Sequence, residues 1–313
     1  MRAAFFGSPD FAVPCLDALT EVAEVVAVYS QPDRPAGRGM KLRPPAVKVR
    51  AQELGLPVHQ PTKLRNGEVA EALRAMELDV ALVVAYGRIL PTAILEAPRM
   101  GCVNVHASLL PRWRGAGPIQ WAIASGDDLT GVSLMKLDEG MDTGPVFAKD
   151  GLPIDPDETT ADLAVRLSAL GARMVKRDLP GYVAGELEPK AQEGEPIHAR
   201  MLTKEDGALD FTGTARRVHD RVRGMHPWPG AYATLDGQRL KVHRSQLLEA
   251  EGSHGKPGQV LGLGDEGLRV ACGEGVVSLA EVQEAGRKRM DAASFFAGRG
   301  TPEHIGPGEE SDQ

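Results

Sequence analysis

The sequence predicts a doubly wound α/β domain with a mostly parallel sheet, followed by a small β-barrel. The chain has 313 residues, which is more than a single hydrophobic core usually organises. In its first half, short strands that are apolar throughout alternate with helical patterns, and this indicates a parallel sheet covered on both faces. Later in the chain, short strands separated by turn signals follow one another at regular spacing, which indicates a barrel.

The predicted elements of the first half follow in the order that a doubly wound fold requires. Apolar strands are predicted at residues 3–6, 25–29, 57–59, 80–85 and 102–105. Helices are predicted at residues 11–19, 46–54 and 68–76. Two paired strands at 132–137 and 146–154 should extend the sheet, and a long helix at 160–183 should close the domain.

A change in composition separates the two domains, because Gly, Pro, Glu and Lys dominate residues 186–206 and such a stretch is typical of a linker. Beyond it, a helix is predicted at residues 215–222, and strands are predicted at 231–235, 239–248, 258–262, 268–271 and 276–282. The dipeptides Asp236-Gly237 and Gly264-Asp265 lie where hairpin turns should be. The predicted boundaries are 1–189 for the first domain, 190–206 for the linker, 207–300 for the barrel and 301–313 for a flexible tail.

Composition and charge exclude several classes of protein. The formal net charge of -7 argues against a protein that coats nucleic acid through bulk charge, although a local basic face stays open. No segment approaches the roughly 20 apolar residues of a membrane span, and the first apolar run is too short for a signal peptide. Cys15, Cys102 and Cys272 fit no metal-ligand spacing. We therefore expect a soluble cytoplasmic protein with buried free thiols and no metal.

Two polar side chains lie near the end of the predicted strand 102–105. Asn104 and His106 are two residues apart, so they point to the same side, at the edge where doubly wound folds bind ligands. A later turn offers Asp142 beside glycines. An amide donor, an imidazole and a carboxylate suit acyl transfer to an amine, since they can stabilise an oxyanion and move protons. The same residues also fit the polar end of a sheet and an ordinary turn.

The stretch Asn-x-His-x-Ser-Leu-Leu-Pro at 104–111, followed by Gly-x-Asp-Thr-Gly at 140–144, resembles the signature of folate-dependent formyltransferases. The resemblance implies a Rossmann-like catalytic domain in which Asn104, His106 and Asp142 are catalytic. It also implies 10-formyltetrahydrofolate as the formyl donor. The folate site would be formed by Ser108, Leu109, Leu110 and Pro111, and by Ala85, Tyr86, Gly87, Ile89 and Leu90 in the loop after the fourth strand.

Three further stretches resemble the branch of that family that acts on methionyl-tRNA. Residues 30–42 resemble its flexible basic loop, which can reach an acceptor stem and its phosphates. The expected tRNA-binding residues of this loop are Arg34, Arg38, Lys41 and Arg43, and the family arginine matching Arg38 helps to select initiator tRNA. Residues 109–121 match the family's continuation. Residues 225–231 resemble the corner that opens its OB-like barrel, with Trp228 interpreted as a packing residue.

The implied activity is transfer of a formyl group from 10-formyltetrahydrofolate to the amino group of methionine on initiator tRNA, by a monomer. Contact with phosphates would make binding sensitive to salt. The second domain carries basic residues that could form an RNA-binding surface: Arg216, Arg217, Arg221, Arg223, Arg239, Lys241, Arg244, Arg287, Lys288 and Arg289.

Several alternatives stay open. Within the family, these are a formyltransferase acting on an amino sugar and a hydrolase of the folate carrier. In other classes, they are a nucleotide-binding oxidoreductase and a non-catalytic RNA-binding protein. The turn at 7–10, Gly-Ser-Pro-Asp, is not the G-x-G-x-x-G phosphate turn, which weakens the oxidoreductase reading. A protein that only binds RNA has no need of Asn104, His106 and Asp142.

Overall fold

The computed structural model describes residues 1–36 and 41–308. The chain forms two compact units that interleave along the sequence. The first unit comprises Met1–Gly115, Thr130–Leu152 and Ala164–His198, and the second comprises Ala116–Leu129, Pro153–Leu163 and Ala199–Gln313. The domain boundaries predicted from the sequence, at residues 189, 206 and 300, stay a prediction. Segments 116–129 and 153–163 lie inside the predicted first domain, yet they make most of their contacts in the second unit.

The first unit is built on a mostly parallel sheet. The first ten strands of the chain are β1 (Arg2–Gly7), β2 (Glu24–Tyr29), β3 (Arg34–Ala36), β4 (Lys41–Arg43), β5 (Val58–His59), β6 (Val80–Val84), β7 (Cys102–His106), β8 (Arg114–Gly115), β9 (Leu129–Lys136) and β10 (Val146–Pro153). Three of them, β3, β4 and β8, lie outside the main sheet. Within the described residues the main sheet has seven strands in the order β10-β9-β7-β6-β1-β2-β5. Every residue of β6 is buried, as expected for a strand covered on both faces.

Parallel pairing joins β1 to β2, β1 to β6, β2 to β5 and β6 to β7. The strand β9 then runs antiparallel to β7, and β10 lies beside β9 as predicted. The predicted doubly wound α/β fold is therefore confirmed, with an antiparallel extension at one edge. Because parallel strands share one carboxyl edge, the loops that follow β1, β2, β6 and β7 meet there.

The helices of the described residues are α1 (Val13–Val22), α2 (Ala46–Glu53), α3 (Glu68–Ala75), α4 (Thr92–Leu95), α5 (Pro118–Ala124), α6 (Thr160–Ala184), α7 (Ala215–Gly224) and α8 (Ala292–Phe296). Most predicted helices agree with these bounds within a few residues. The exceptions are α4, α5 and α8, which were not predicted because four to seven residues give too few repeats for a helical period. None of these helices is long and apolar enough to cross a membrane.

All three cysteines are buried and free, as predicted. Burial raises the pKa of the Cys15 thiol to about 12, and the pKa of the Cys102 thiol to about 12 as well. Both thiols therefore stay protonated and behave as small apolar side chains of the core.

The second unit contains an antiparallel sheet of six strands within the described residues, in the order β12-β13-β16-β15-β14, with β17 paired to β16. Its strands, after the short β11 (His198–Ala199), are β12 (Ala231–Leu235), β13 (Gln238–Glu249), β14 (Val260–Gly264), β15 (Gly267–Ala271), β16 (Val276–Glu284) and β17 (Met290–Asp291). One apolar face of α7, formed by Ala215, Val218 and Val222, belongs to the same buried core as this sheet. The short strands predicted for this region form an antiparallel sheet, and closure into an OB-like barrel stays a prediction.

The segment predicted as a flexible tail is packed against the second unit at residues 305 and 306. The side chain of Ile305 is 0% exposed and belongs to the core of the second unit. Gly306 exchanges two backbone hydrogen bonds with Thr234, of 3.1 and 2.8 Å. Gly and Pro content alone suggested disorder, whereas pairing to the edge of a distant strand orders the segment. The last five residues lie outside the described part.

Candidate active site

The strand β7 carries Asn104 and His106 to the carboxyl edge of the first unit's sheet. Both residues pair in register with the antiparallel strand β9, Asn104 with Met135 and His106 with Ser133. His106 is 6% exposed and Asn104 is half-buried. The two-residue spacing therefore places an amide and an imidazole on one side of a rigid central strand, as predicted.

Asp142 lies in a tight loop, and the backbone of this loop accounts for the residue types around Asp142. Its backbone is left-handed, with φ of 54°, a conformation that Asp tolerates better than most residues. Within the loop, Asp138 accepts hydrogen bonds from the Gly140 backbone N–H (3.0 Å) and from the Thr143 hydroxyl (2.7 Å). A Cβ at Gly144 would lie 1.9 Å from the Lys136 carbonyl oxygen. Only glycine therefore lets the loop approach β9 this closely.

The three predicted catalytic residues converge. The Asn104 Nδ2 lies 3.5 Å from Asp142 Oδ1, at the outer limit of a hydrogen bond, and His106 Nδ1 lies 3.7 Å from Asp142 Oδ2. The same Oδ2 accepts a 2.8 Å hydrogen bond from the backbone N–H of Gly115. The carboxylate is thus anchored by the backbone while it faces both neighbouring side chains.

The other ring nitrogen of His106 faces a backbone carbonyl. Its Nε2 lies 2.9 Å from the oxygen of Trp113. A carbonyl can only accept, so this contact assigns the hydrogen to Nε2 and leaves Nδ1 facing Asp142. Trp113 has a φ of 62°, a conformation that is uncommon for an aromatic residue. With the hydrogen on Nε2, Nδ1 is the ring nitrogen that carries the free lone pair.

Gln192 supports the aspartate loop from the segment that composition assigned to a linker. Its Nε2 donates to the carbonyl oxygens of Asp142 and Gly144, each at 2.8 Å. Its Oε1 accepts from Arg114, at 3.0 Å from Nε and 2.8 Å from Nη2. Sequence reasoning missed Gln192, because a single Gln in a Pro- and Glu-rich stretch carries no signal of such a contact.

The predicted folate segment after β7 is fixed by its own hydrogen bonds. Ser108 is fully buried, and its hydroxyl donates to the Arg112 carbonyl oxygen at 2.6 Å. The Ser133 hydroxyl accepts from the Leu110 N–H (3.1 Å) and donates to the Ser108 carbonyl (2.7 Å). Leu110 packs in a buried cluster with Met135 and Val146. Leu109 and Pro111 are the half-buried members of this segment.

The predicted folate loop after β6 borders an open cavity. Ala85 and Gly87 have left-handed backbone, with φ of 46° and 79°. Together with Tyr86 they line a cavity of about 880 Å³. Further along the loop, Leu90 is buried whereas Ile89 is 73% exposed. The structure therefore brings 85–87, but not Ile89 or Leu90, to this cavity wall.

The predicted basic loop is described only in part. Arg34 and Arg43 are exposed and face each other across the β3–β4 pair. Both also line the 880 Å³ cavity. The backbone of Lys41 pairs with Ala36, while Arg38 lies outside the described residues.

Three of the ten predicted basic residues of the second unit form ion pairs with carboxylates. Arg223 pairs with Asp220 at 2.7 Å, Arg287 pairs with Glu284 at 2.7 Å, and Arg289 pairs with Glu281. Five others are exposed and have no carboxylate partner within residues 1–36 and 41–308. They are Arg216, Arg217, Lys241, Arg244 and Lys288. The candidate RNA-binding surface is therefore smaller than the sequence suggested.

Trp228 differs from its predicted packing role, because its side chain is 53% exposed. The loop around it is closed instead by a backbone hydrogen bond from Gly230 N–H to the Met225 carbonyl at 2.9 Å. The aromatic ring therefore remains on the surface of the second unit.

The family model described as formyl transferase matches residues 1–179, and the model described as formyl transferase, C-terminal domain, matches residues 201–300. The chain belongs to the formyl transferase family. Among curated relatives, this formyl transferase is 53% identical over 301 residues to a protein of Sorangium cellulosum named methionyl-tRNA formyltransferase, covering 96% of this chain and 97% of that one. It is 52% identical to a protein of the same name from Myxococcus xanthus, covering 95% of each chain.

Solved structures share the fold at low identity. An N-formyltransferase from Helicobacter canadensis, in complex with folinic acid and dTDP-3-aminofucose, aligns with a TM-score of 0.66 at 17% identity, covering 88% of this formyl transferase and 98% of that chain. HypX from Aquifex aeolicus, in complex with tetrahydrofolic acid, aligns with a TM-score of 0.62 at 19% identity, covering 95% of this chain and 47% of that one. The chain thus spans about half the length of HypX.

Proposed function

We propose that this formyl transferase moves the formyl group of 10-formyltetrahydrofolate to the amino group of methionine on initiator tRNA. The observation that carries the proposal is the convergence of Asn104 and His106 on the carboxylate of Asp142. The tRNA substrate is supported by two relatives named methionyl-tRNA formyltransferase, which are 53% and 52% identical to this chain over nearly its whole length. Because charged tRNA is the substrate, we place the reaction in the cytoplasm.

The reaction is the attack of the methionine amine on the formyl carbon. A new N–C bond forms, the bond between the formyl carbon and N10 of the folate breaks, and one proton moves from the amine to the leaving nitrogen. The Asn104 amide donates to the oxygen that becomes negative during attack. A single donor of this kind typically contributes about 2.7–4 kcal/mol to transition-state stabilisation.

His106 carries the proton in this scheme. Its Nε2 is engaged by the Trp113 carbonyl, so Nδ1 accepts the amine proton and later returns it to the folate nitrogen. Asp142, 3.7 Å from Nδ1, stabilises the imidazolium that forms between these two transfers. The Gly115 N–H and Gln192 hold that carboxylate and its loop in place, so the site is organised before substrate arrives.

The second unit would hold the tRNA through phosphate contacts. The five exposed cations without carboxylate partners in the described residues are the candidates, and Arg34 and Arg43 add charge beside the cavity of the first unit. Such contacts position RNA without reading its sequence.

The test is formyl transfer from 10-formyltetrahydrofolate to methionyl initiator tRNA, with methionyl elongator tRNA, free methionine and a dTDP-amino sugar assayed beside it. We expect rapid formylation of the initiator tRNA alone. Transfer to the amino sugar with none to any tRNA would contradict the proposal. Sedimentation analysis of the same preparation checks the predicted monomer.

A further inference from the structure

The segment 190–197, part of the stretch that composition assigned to a linker, is fixed to the first unit at both ends. The backbone of Lys190 exchanges hydrogen bonds of 2.8 and 2.9 Å with the first residue of β10, and the Ile197 carbonyl accepts from the Arg114 N–H at 2.9 Å. Gln192 lies between these two attachments and is half-buried. The backbone on both sides of Gln192 is therefore held in place independently of its side chain.

Two backbone contacts hold the proposed catalytic pair. The Trp113 carbonyl oxygen lies 2.9 Å from His106 Nε2, and the Gly115 N–H donates to Asp142 Oδ2 at 2.8 Å. Trp113 and Asp142 both have left-handed backbone, with φ of 62° and 54°, and such residues keep that conformation only where surrounding contacts enforce it. The placement of the carboxylate against the imidazole therefore depends on what joins the turn at 113–115 to the aspartate loop.

The Gln192 side chain makes that connection. Its Nε2 donates to the carbonyl oxygens of Asp142 and Gly144, each at 2.8 Å, and its Oε1 accepts from Arg114 Nε at 3.0 Å and Nη2 at 2.8 Å. Arg114 is the middle residue of the turn 113–115, so one carboxamide bridges the turn and the loop. A carboxamide has two N–H donors and one oxygen with two lone pairs. All of them are used in these four hydrogen bonds, which leaves none for a substrate.

We infer that Gln192 is a positioning residue for formyl transfer, which fixes the Asp142 carboxylate against the imidazole of His106. The inference rests on the proposed function, because it gives Gln192 a role in that reaction through Asp142 rather than through contact with either substrate. The carboxylate stabilises the imidazolium that forms during proton transfer, and this stabilisation falls as the distance between the two charges grows. A displacement of about 1 Å at such a site can lower the rate by about 100-fold.

The experiment is a double-mutant cycle in kcat for the formylation of methionyl initiator tRNA, with a labelled formyl group on 10-formyltetrahydrofolate so that slow variants can be measured. Gln192→Leu removes all four hydrogen bonds at similar size. With Asp142 present, it should lower kcat by about 10- to 100-fold and leave both KM values within about 2-fold. In Asp142→Ala, the same change should lower kcat by less than about 3-fold, because the group that Gln192 positions is absent.

Gln192→Glu separates the hydrogen bonds from packing. It keeps the size of the side chain and an acceptor for Arg114, but an ionised carboxylate cannot donate to the carbonyl oxygens of the aspartate loop. Its kcat should therefore fall to a similar extent as in Gln192→Leu. Gln52→Leu is the matched control, because Gln52 is exposed on α2 in the same unit, and it should keep the unaltered kcat.

An equal fall in kcat with and without Asp142 would overturn the inference, since a lower folded fraction acts alike in both backgrounds. An unaltered kcat in Gln192→Glu, or a raised KM for tRNA at constant kcat in Gln192→Leu, would overturn it as well. Failure of the unaltered enzyme on initiator tRNA would instead remove the proposed function, and the inference with it.

Discussion

The two compact units use polar and charged side chains in opposite ways. In the first unit, Asn104 and His106 converge on Asp142, whose carboxylate is anchored by a backbone N–H. In the second unit, basic residues are spread over a helix and a sheet, and several are neutralised by carboxylates. The contrast shows that chemistry here depends on the placement of a few atoms, whereas RNA binding depends on which charges remain unpaired. Single substitutions should therefore have large effects on kcat in the first unit, and small, additive effects on RNA affinity in the second.

The largest effect is expected for His106→Ala, because the proposed proton carrier at the centre of the site is removed. General acid–base groups typically contribute about 10²–10⁴-fold to rate, so kcat for formylation of initiator tRNA should fall by that amount. Thermal stability and tRNA affinity should change little. His198→Ala is the control, since His198 is exposed in the first unit. Loss of tRNA binding with retained turnover would contradict the assignment.

The next effect is expected for Asn104→Leu, which keeps the approximate size of the side chain but removes the donor to the oxyanion. Loss of one such donor typically lowers kcat by about 10²–10³-fold. Asn66→Leu applies the same change at an exposed position of the first unit and should leave kcat unchanged. A rise in KM for tRNA at constant kcat would show instead that Asn104 acts in binding.

Within the second unit, stability should depend on one buried ion pair. The side chains of Asp220 and Arg223 are 4% and 8% exposed and lie 2.7 Å apart. Asp220→Ala leaves a buried guanidinium without its carboxylate, and such changes typically cost about 3–5 kcal/mol in free energy of unfolding. Denaturant unfolding measures this cost.

The matched comparison is Glu24→Ala, which breaks the pair of Arg2 and Glu24 whose side chains are 45% and 63% exposed. Exposed pairs typically contribute about 0–1 kcal/mol, so this variant should remain near the unaltered stability. Equal losses in the two variants would mean that burial does not set the strength of these pairs.

The smallest effect is expected for single surface cations. Arg217→Ala removes an exposed charge that has no carboxylate partner in the described residues. If Arg217 contacts a phosphate, the slope of log affinity against log salt should become shallower by about 0.9 for a duplex contact. Arg287→Ala, whose guanidinium is paired with Glu284 at 2.7 Å, should change the slope less. The reverse order would show that pairing does not predict which cations meet RNA.

Much of the first unit could be predicted from neighbouring residues alone. Apolar runs located β1, β2 and β6, because a strand buried on both faces needs every side chain to be apolar. The two-residue spacing put Asn104 and His106 on one side of β7. Asp142 joined the predicted site through the family motif at 140–144. No local pattern in the sequence predicted that it would lie beside His106.

Other contacts could not be predicted, since they join residues distant in sequence. The Trp113 carbonyl at His106 is a backbone atom, which no residue type marks. Gln192 looked like part of a linker, and the tail up to residue 308 looked disordered. The exposure of Trp228 and the pairing of Arg223 depend on which surfaces meet in the fold.

The sequence by itself determined the elements, the polar pair on β7 and the family signature, because local periodicity and motif spacing are properties of adjacent residues. Only the tertiary structure decided which ring nitrogen of His106 faces Asp142 and which cations of the described residues have no carboxylate partner. Hydrogen bonding and burial depend on distances between residues far apart in the chain, and those distances exist only once the sheets have assembled.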